Sequence, residues 1–200
     1  MGDIALAGAT SGTITLTPTA VAGSNTLTLP AATGTILTTA SSGQIIPKAA
    51  LPTGSVLQVV YASYTTQVSS TSTSYVDTGL SASITPTSSS SKILVLVNQY
   101  IYMWDTSSPV DVSIGLQIVR GSTAIFTPNT KEQFYFYVPS GISRGDVATN
   151  LPLQYLDSPA TTSSTTYKIQ GALSKSDGNQ NTLYQGSSNP STITLMEIAA

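Results

Sequence analysis

Tyr100, Tyr102 and Trp104 alternate along one apolar run and end at a polar loop, Thr106-Ser-Ser-Pro-Val. A period of two places all three rings on one face of a strand. Such a face can stack sugar rings through their apolar C–H surfaces. The competing expectation is that the rings cover the core or a subunit contact, where aromatics are enriched. Tyr100 is assigned to packing, whereas Tyr102 and Trp104 adjoin the polar loop and are the candidate receptor-binding residues.

Other groups carry weaker signals. Asp105 and Asp111 bracket that loop, and two carboxyl groups about 5–10 Å apart can hydrolyse a glycosidic bond. Their expected role is to satisfy turn backbone instead. Arg144-Gly145-Asp146 forms a short adhesion-like triplet beyond Pro139-Ser-Gly, and three residues of this kind are ordinary turn chemistry. Ser176-Asp-Gly-Asn-Gln-Asn begins like a calcium loop but lacks the acidic ligand at its far end. It reads as a hairpin turn.

Enzymatic function is not expected. The chain has no histidine and no cysteine, which removes the commonest general base, the commonest transition-metal ligand and all thiol chemistry. Serine and threonine abound, but no Gly-x-Ser-x-Gly elbow or Ser-x-x-Lys signature with its companions could activate one. No glycine-rich phosphate loop opens a helix. Neither a cofactor nor a metal is expected.

Composition narrows the partners. Charged residues make up 8% of the 200 residues and the net charge is −2, far from the roughly 25% charged content of ordinary soluble domains. This leaves no electrostatic footprint for nucleic acid or an anionic membrane. Solubility falls to Ser, Thr, Asn and Gln. No secretory signal is visible at the N-terminus, and no run reaches the length of a membrane span. Release by lysis, within a virion, fits that pattern.

The elements that must position these residues are strands. From Ser55 onward, apolar runs lengthen and the phenylalanines and Trp104 appear. Strands are expected at Val56–Ala62, Gln67–Val68, Tyr75–Val76, Leu80–Ile84, Ile93–Tyr102, Val110–Arg120, Thr123–Phe126, Phe134–Val138, Val147–Leu156, Thr166–Leu173 and Thr192–Ile198. Ile93–Val97 is almost continuously apolar, so it should be central and covered on both sides. Thr166–Leu173 alternates, so one of its faces should meet solvent. In Phe134–Val138, either the phenylalanines or Tyr135 and Tyr137 should be buried. Many short strands without helical periodicity mean a sandwich or barrel, and a jelly-roll-like β-sandwich over residues 55–200 is the expected head domain.

Residues 1–54 differ in texture. Ser11-Gly-Thr-Ile-Thr-Leu-Thr-Pro, Gly23-Ser-Asn-Thr-Leu-Thr-Leu-Pro and Gly34-Thr-Ile-Leu-Thr-Thr repeat a short strand between Gly and Pro punctuation. A bridging stretch, Gln44-Ile-Ile-Pro-Lys-Ala-Ala-Leu-Pro-Thr-Gly, follows with an extended backbone. The segment contains no aromatic residue and little charge. Strands so lean in bulky side chains bury too little to offset the entropy of ordering them. They need neighbours, and other copies of the same chain are the simplest source. The segment is read as an extended β-rich shaft or docking region.

The pattern S-G-T-I-T-L-T-P…G-S-N-T-L-T-L-P-A-A-T-G-T-I-L-T-T resembles the β-rich segments of bacteriophage tail-fibre and related virion proteins, notably from marine and cyanobacterial phages. Leu51-Pro-Thr-Gly-Ser-Val-Leu-Gln-Val-Val and Ile84-Thr-Pro-Thr-Ser-Ser-Ser-Ser-Lys-Ile-Leu-Val are similar to the compact domains that follow them. The resemblance implies a homotrimeric fibre in the virion. Its N-terminus would attach to other tail or capsid proteins and its C-terminal domain would face a host glycan or protein. It carries over no catalytic constellation. Two further expectations remain open: a capsid decoration, collar or other structural protein without a receptor role, and a polysaccharide-binding module or lyase.

Overall fold

The computed structural model describes residues 51–200, apart from 107–109, 129–130 and 176–177, together with the backbone of two short N-terminal strands. The chain divides into two compact units, Met1–Ile45 and Ile46–Ala200. In the first, β1 (Ile4–Ala7) pairs antiparallel with β2 (Thr13–Leu16), with Ile4 opposite Leu16 and Ala7 opposite Thr13. The first expected repeat thus contains a strand. The repeats beginning at Gly23 and Gly34 lie outside the described residues.

The second unit is built from β3 (Val56–Tyr64), β4 (Val68–Ser70), β5 (Val76–Ile84), β6 (Lys92–Asp105), β7 (Val110–Arg120), β8 (Thr123–Phe126), β9 (Phe134–Val138), β10 (Gly145–Asp157), β11 (Thr165–Leu173), β12 (Gln180–Tyr184) and β13 (Ser191–Ile198). Val, Ile, Thr and aromatic residues dominate these segments because their branched or flat side chains suit a pleated, half-buried surface. All the pairings are antiparallel.

Register reduces the strands to two sheets, each four positions wide. In the first, the long β6 pairs with β10 along one edge, and its other edge is shared end to end by β13 (against 92–98) and β12 (against 101–105). Outside these lie β3 on β13 and β4 on β12. In the second sheet the order is β5–β11–β7, with β8 and β9 sharing the far edge of β7. The strand orders β3–β13–β6–β10 and β5–β11–β7–β8/β9 are the connectivity of a jelly-roll sandwich.

The core lies between the sheets. Ile93, Val95, Ile101 and Met103 from β6 and Leu195 from β13 meet Ile114, Leu116 and Ile118 from β7 and Ile169 from β11, all essentially without exposure. One buried polar relay crosses it. The Thr78 hydroxyl on β5 donates to Gln99 Oε1 on β6 at 3.0 Å, and Gln99 Nε2 donates to Ser191 Oγ at 2.8 Å. Satisfied buried networks of this kind fix one arrangement of the sheets.

Two glycines are placed by close approach. A side chain at Gly171 would run into the buried Tyr184 ring, and one at Gly79 would meet the Tyr64 ring. Gly79 also has φ of +88° and sits where β5 carries extra residues against β11. This bulge lets one strand span the whole of Val76–Ile84, so the two short strands expected there are one. The conformation is one that glycine adopts without penalty.

At the end where the chain enters β3, Glu197 closes the sandwich. It is fully buried and accepts hydrogen bonds from the Thr87 backbone N–H at 2.7 Å, the Thr87 hydroxyl at 2.7 Å and Gln58 Nε2 at 2.6 Å. Burial pushes this carboxyl upward, but the hydrogen bonds from Thr87, Gln58 and Ser91 outweigh it and hold it at about 2.

Several expectations are corrected. Ile93–Val97 is central in its sheet but is covered on one side only: Ile93, Val95 and Val97 are buried, whereas Leu94 and Leu96 turn to the outer face and remain half-exposed. Ser176 and Asp177, where a hairpin turn was expected, lie outside the described residues, but the flanking β11 and β12 belong to different sheets and do not pair with each other. β12 itself was not anticipated. Its inward residues Gln180 and Thr182 are polar, which hides the alternation. Thr166–Leu173 alternates as expected, with Tyr167 and Ile169 buried and Lys168 and Gln170 outward. In β9 the phenylalanines pack against the core, and Tyr135 and Tyr137 are the exposed pair.

Candidate functional site

The alternation of β6 puts Tyr100, Tyr102 and Trp104 on the outer face of the first sheet, since Gln99, Ile101 and Met103 face the interior. The rings therefore do not cover the core. The Tyr102 and Trp104 rings are 5.5 Å apart and tilted by 40°.

The antiparallel register with β10 brings Asp146 opposite Trp104 and Ala148 opposite Tyr102. Arg144, the residue before β10, then folds over the same spot. Its guanidinium lies 5.3 Å from the Trp104 ring centroid. Nη2 donates to the Tyr102 hydroxyl at 2.8 Å and Nε donates to Asp146 Oδ2 at 3.2 Å. The Tyr102 hydroxyl in turn donates to Asp146 Oδ2 at 3.1 Å. The hydrogen bond to Tyr102, with Asp146 beside it, raises the Arg144 pKa above its ordinary value.

Four side chains from two strands thus form one surface patch. Arg144 and Asp146 keep 46% and 51% of their side chains exposed, so their remaining donors and acceptors are open to a ligand. A flat pair of rings beside a guanidinium and a carboxylate suits a polyhydroxylated partner: C–H faces stack on the rings, and hydroxyls pair with the charged groups. Sequence reasoning named Tyr102 and Trp104 but left Arg144 and Asp146 in a turn. Only the β6–β10 register joins the two pairs, and no local pattern encodes it.

The same geometry settles the triplet. Gly145 begins β10, paired with Asp105, and Arg144 and Asp146 bind each other rather than projecting from a loop tip. Asp105 ends β6 and Asp111 stands near the start of β7, in the other sheet. Asp105 is fully buried, whereas Asp111 accepts from the Tyr135 hydroxyl at 2.7 Å on the other sheet, with Lys175 Nζ at 3.9 Å. Among the described residues, no group of three or more His, Cys, Asp or Glu stands close enough to hold a metal ion.

No family model matches the chain, and no curated protein matches it. Solved structures do. A structure of infectious bursal disease virus, Gt strain, is 16% identical over 78% of this chain and 42% of that chain, with a TM-score of 0.38. The VP2 subviral particle of the same virus is 17% identical over 73% of this chain and 38% of that one, with a TM-score of 0.33. Its T=1 particles give 17% identity, 78% and 40% coverage and a TM-score of 0.34. The chain spans about two fifths of the length of these structures.

Proposed function

We propose that this chain is a non-enzymatic structural protein of a bacteriophage virion, fixed to tail or capsid by residues 1–54 and touching the host through residues 55–200. The observation that carries the reading is the position of the aromatic patch. The chain enters the sandwich beside Lys92, where Val56, Ile198 and Lys92 are paired across three strands. Trp104 lies twelve residues further along β6, about 40 Å away at strand spacing. A chain entry point at one end of the sandwich and a ligand-ready surface at the other is the polarity an adhesive fibre needs. Trimeric assembly would multiply a weak site into useful avidity. The ligand class is a surface polysaccharide, because stacked rings flanked by a guanidinium and a carboxylate match a sugar's two kinds of surface.

The chain contains one tryptophan, so Trp104 is its own reporter. Adding host surface polysaccharide to the full chain should change tryptophan emission saturably, and Arg144→Ala should weaken the response at least about tenfold, as for loss of one charge-assisted contact. Purified protein should also adsorb to host cells, with Trp104→Ala reducing the bound fraction. Equal adsorption by the variants would remove the patch from the reading. A second reading, a decoration or collar protein without a receptor role, draws on the apolar part of the same outer face. It gains if the purified chain fails to adsorb.

A further inference from the structure

The half of the first sheet's outer face that lies away from Trp104 carries a row of apolar side chains. Register sets Val59, Met196, Leu94 and Leu156 side by side across four strands, with Tyr61 and Leu96 in the next row. Val59 is 56% exposed, Tyr61 63% and Leu156 49%. Each pairs through its backbone within the sheet, so the row is held in place.

We propose that this row is a contact surface for a second copy of the same chain. Three features of the face favour that occupant. The first is charge. Along β6 the outward residues between Lys92 and Trp104 are Leu94, Leu96, Asn98, Tyr100 and Tyr102, and the outward positions of β3 and β13 from Val59 to Ser63 and Thr192 to Ile198 are also uncharged. A contact between copies brings like residues together, and a charge-free face has no self-repulsion to overcome. The second is size. Four strands at about 4.8 Å and seven residues at about 3.3 Å give a footprint of about 440 Å². The footprint includes the polar Thr192, Thr194, Asn98 and Gln154 beside the apolar residues, and it is over half of the about 800 Å² that each partner buries in a stable pair. The third is shape: a flat apolar sheet face packs well against another, with side chains interdigitating.

Continuity adds to this. The chain enters the domain beside this row, at Val56, so copies joined here would bring their entry points close together. Leu94 and Trp104 are ten residues apart on one strand, about 33 Å, so the contact leaves the aromatic patch open. The inference does not depend on receptor binding, and its test does not read adsorption.

The full chain should be oligomeric by gel filtration with light scattering. Leu94→Glu should raise the concentration at which it dissociates at least roughly 100-fold, while Ser83→Glu, on the opposite sheet's outer face, should leave it unchanged. The chain has no cysteine, so single-cysteine variants give a second readout that spares the fold: Tyr61→Cys should form an interchain cross-link and Ser83→Cys should not. A monomeric full chain, a mass unaffected by Leu94→Glu, or equal cross-linking at both positions would overturn the proposal. Retained mass in Leu94→Glu would assign assembly to the N-terminal residues and leave the attachment reading standing.

Discussion

The two outer faces of the sandwich are built from the same strand chemistry and end in opposite surfaces. On the β5–β11 part of the second sheet, outward positions are Asp77, Ser81, Ser83, Thr166, Lys168 and Gln170, and most of them pair with one another. Lys168 Nζ lies 2.9 Å from Asp77 Oδ2, Gln170 Nε2 donates to Asp77 Oδ1 at 2.6 Å, and the Ser83 and Thr166 hydroxyls are 2.7 Å apart. On the first sheet, the corresponding positions are apolar at one end and aromatic at the other. The β5–β11 part of the second sheet's face is paired within its own chain, whereas Tyr135 and Tyr137 stand exposed at the β9 edge. The first sheet's face presents surface that water solvates poorly.

The largest effects should come from residues that both sheets share. Ile101→Ala on the first sheet and Ile169→Ala on the second each empty a fully buried site and should cost about 2–5 kcal/mol by denaturant unfolding. Leu94→Ala, on the outer face, should cost less in a dilute sample. Its penalty should grow with protein concentration, because an interface adds stability by mass action. A concentration-independent penalty equal to that at Ile101 would mean that the two sides of β6 do not differ.

Glu197 sharpens the comparison at the domain's entry end. Glu197→Gln keeps the shape but loses the charge that Thr87 and Gln58 are arranged to meet, and should cost about 1.5–3 kcal/mol. The sign with pH follows from the depressed value. The folded carboxyl is held at about 2 against its ordinary 4.5, so the folded state binds fewer protons than the unfolded one between those values. The stabilisation is complete above about pH 4.5 and is lost as pH falls toward about 2. Acid titration of stability should therefore be shallower in Glu197→Gln than in the parent, and matching slopes would show that Glu197 does not contribute.

This asymmetry also explains what the sequence could disclose. Alternation in Thr165–Leu173 was readable because its outer residues are polar, and the burial of Phe134 and Phe136 over Tyr135 and Tyr137 was open only in its sign. Where the outer face is itself apolar, as at Leu94 and Leu96, alternation disappears, and a one-sided strand reads as covered on both sides. The inverse error hid β12, whose inward Gln180 and Thr182 make a core-facing strand look like loop. The aromatic half of the site was legible from spacing within one strand. Its charged half was not, because Arg144 and Asp146 reach Tyr102 and Trp104 only through a register spanning some forty residues of chain.

The smallest effect belongs to the paired part of the second sheet's face. Burial alone would raise the Asp77 pKa, but hydrogen bonds from Lys168 and Gln170 outweigh it and leave it lowered. The pair is open to solvent, with 29% of the Lys168 side chain and 53% of the Asp77 side chain exposed, so screening takes most of its Coulomb energy. Lys168→Ala or Asp77→Asn should therefore change stability by no more than about 0.5–1 kcal/mol, and less at high salt. A lowered Asp77 pKa makes whatever it contributes vanish as pH falls through that pKa, so the parent and Asp77→Asn should converge in acid. Neither substitution should alter the oligomeric mass. A change of mass on cutting this pair would show that the polar face, too, is an interface.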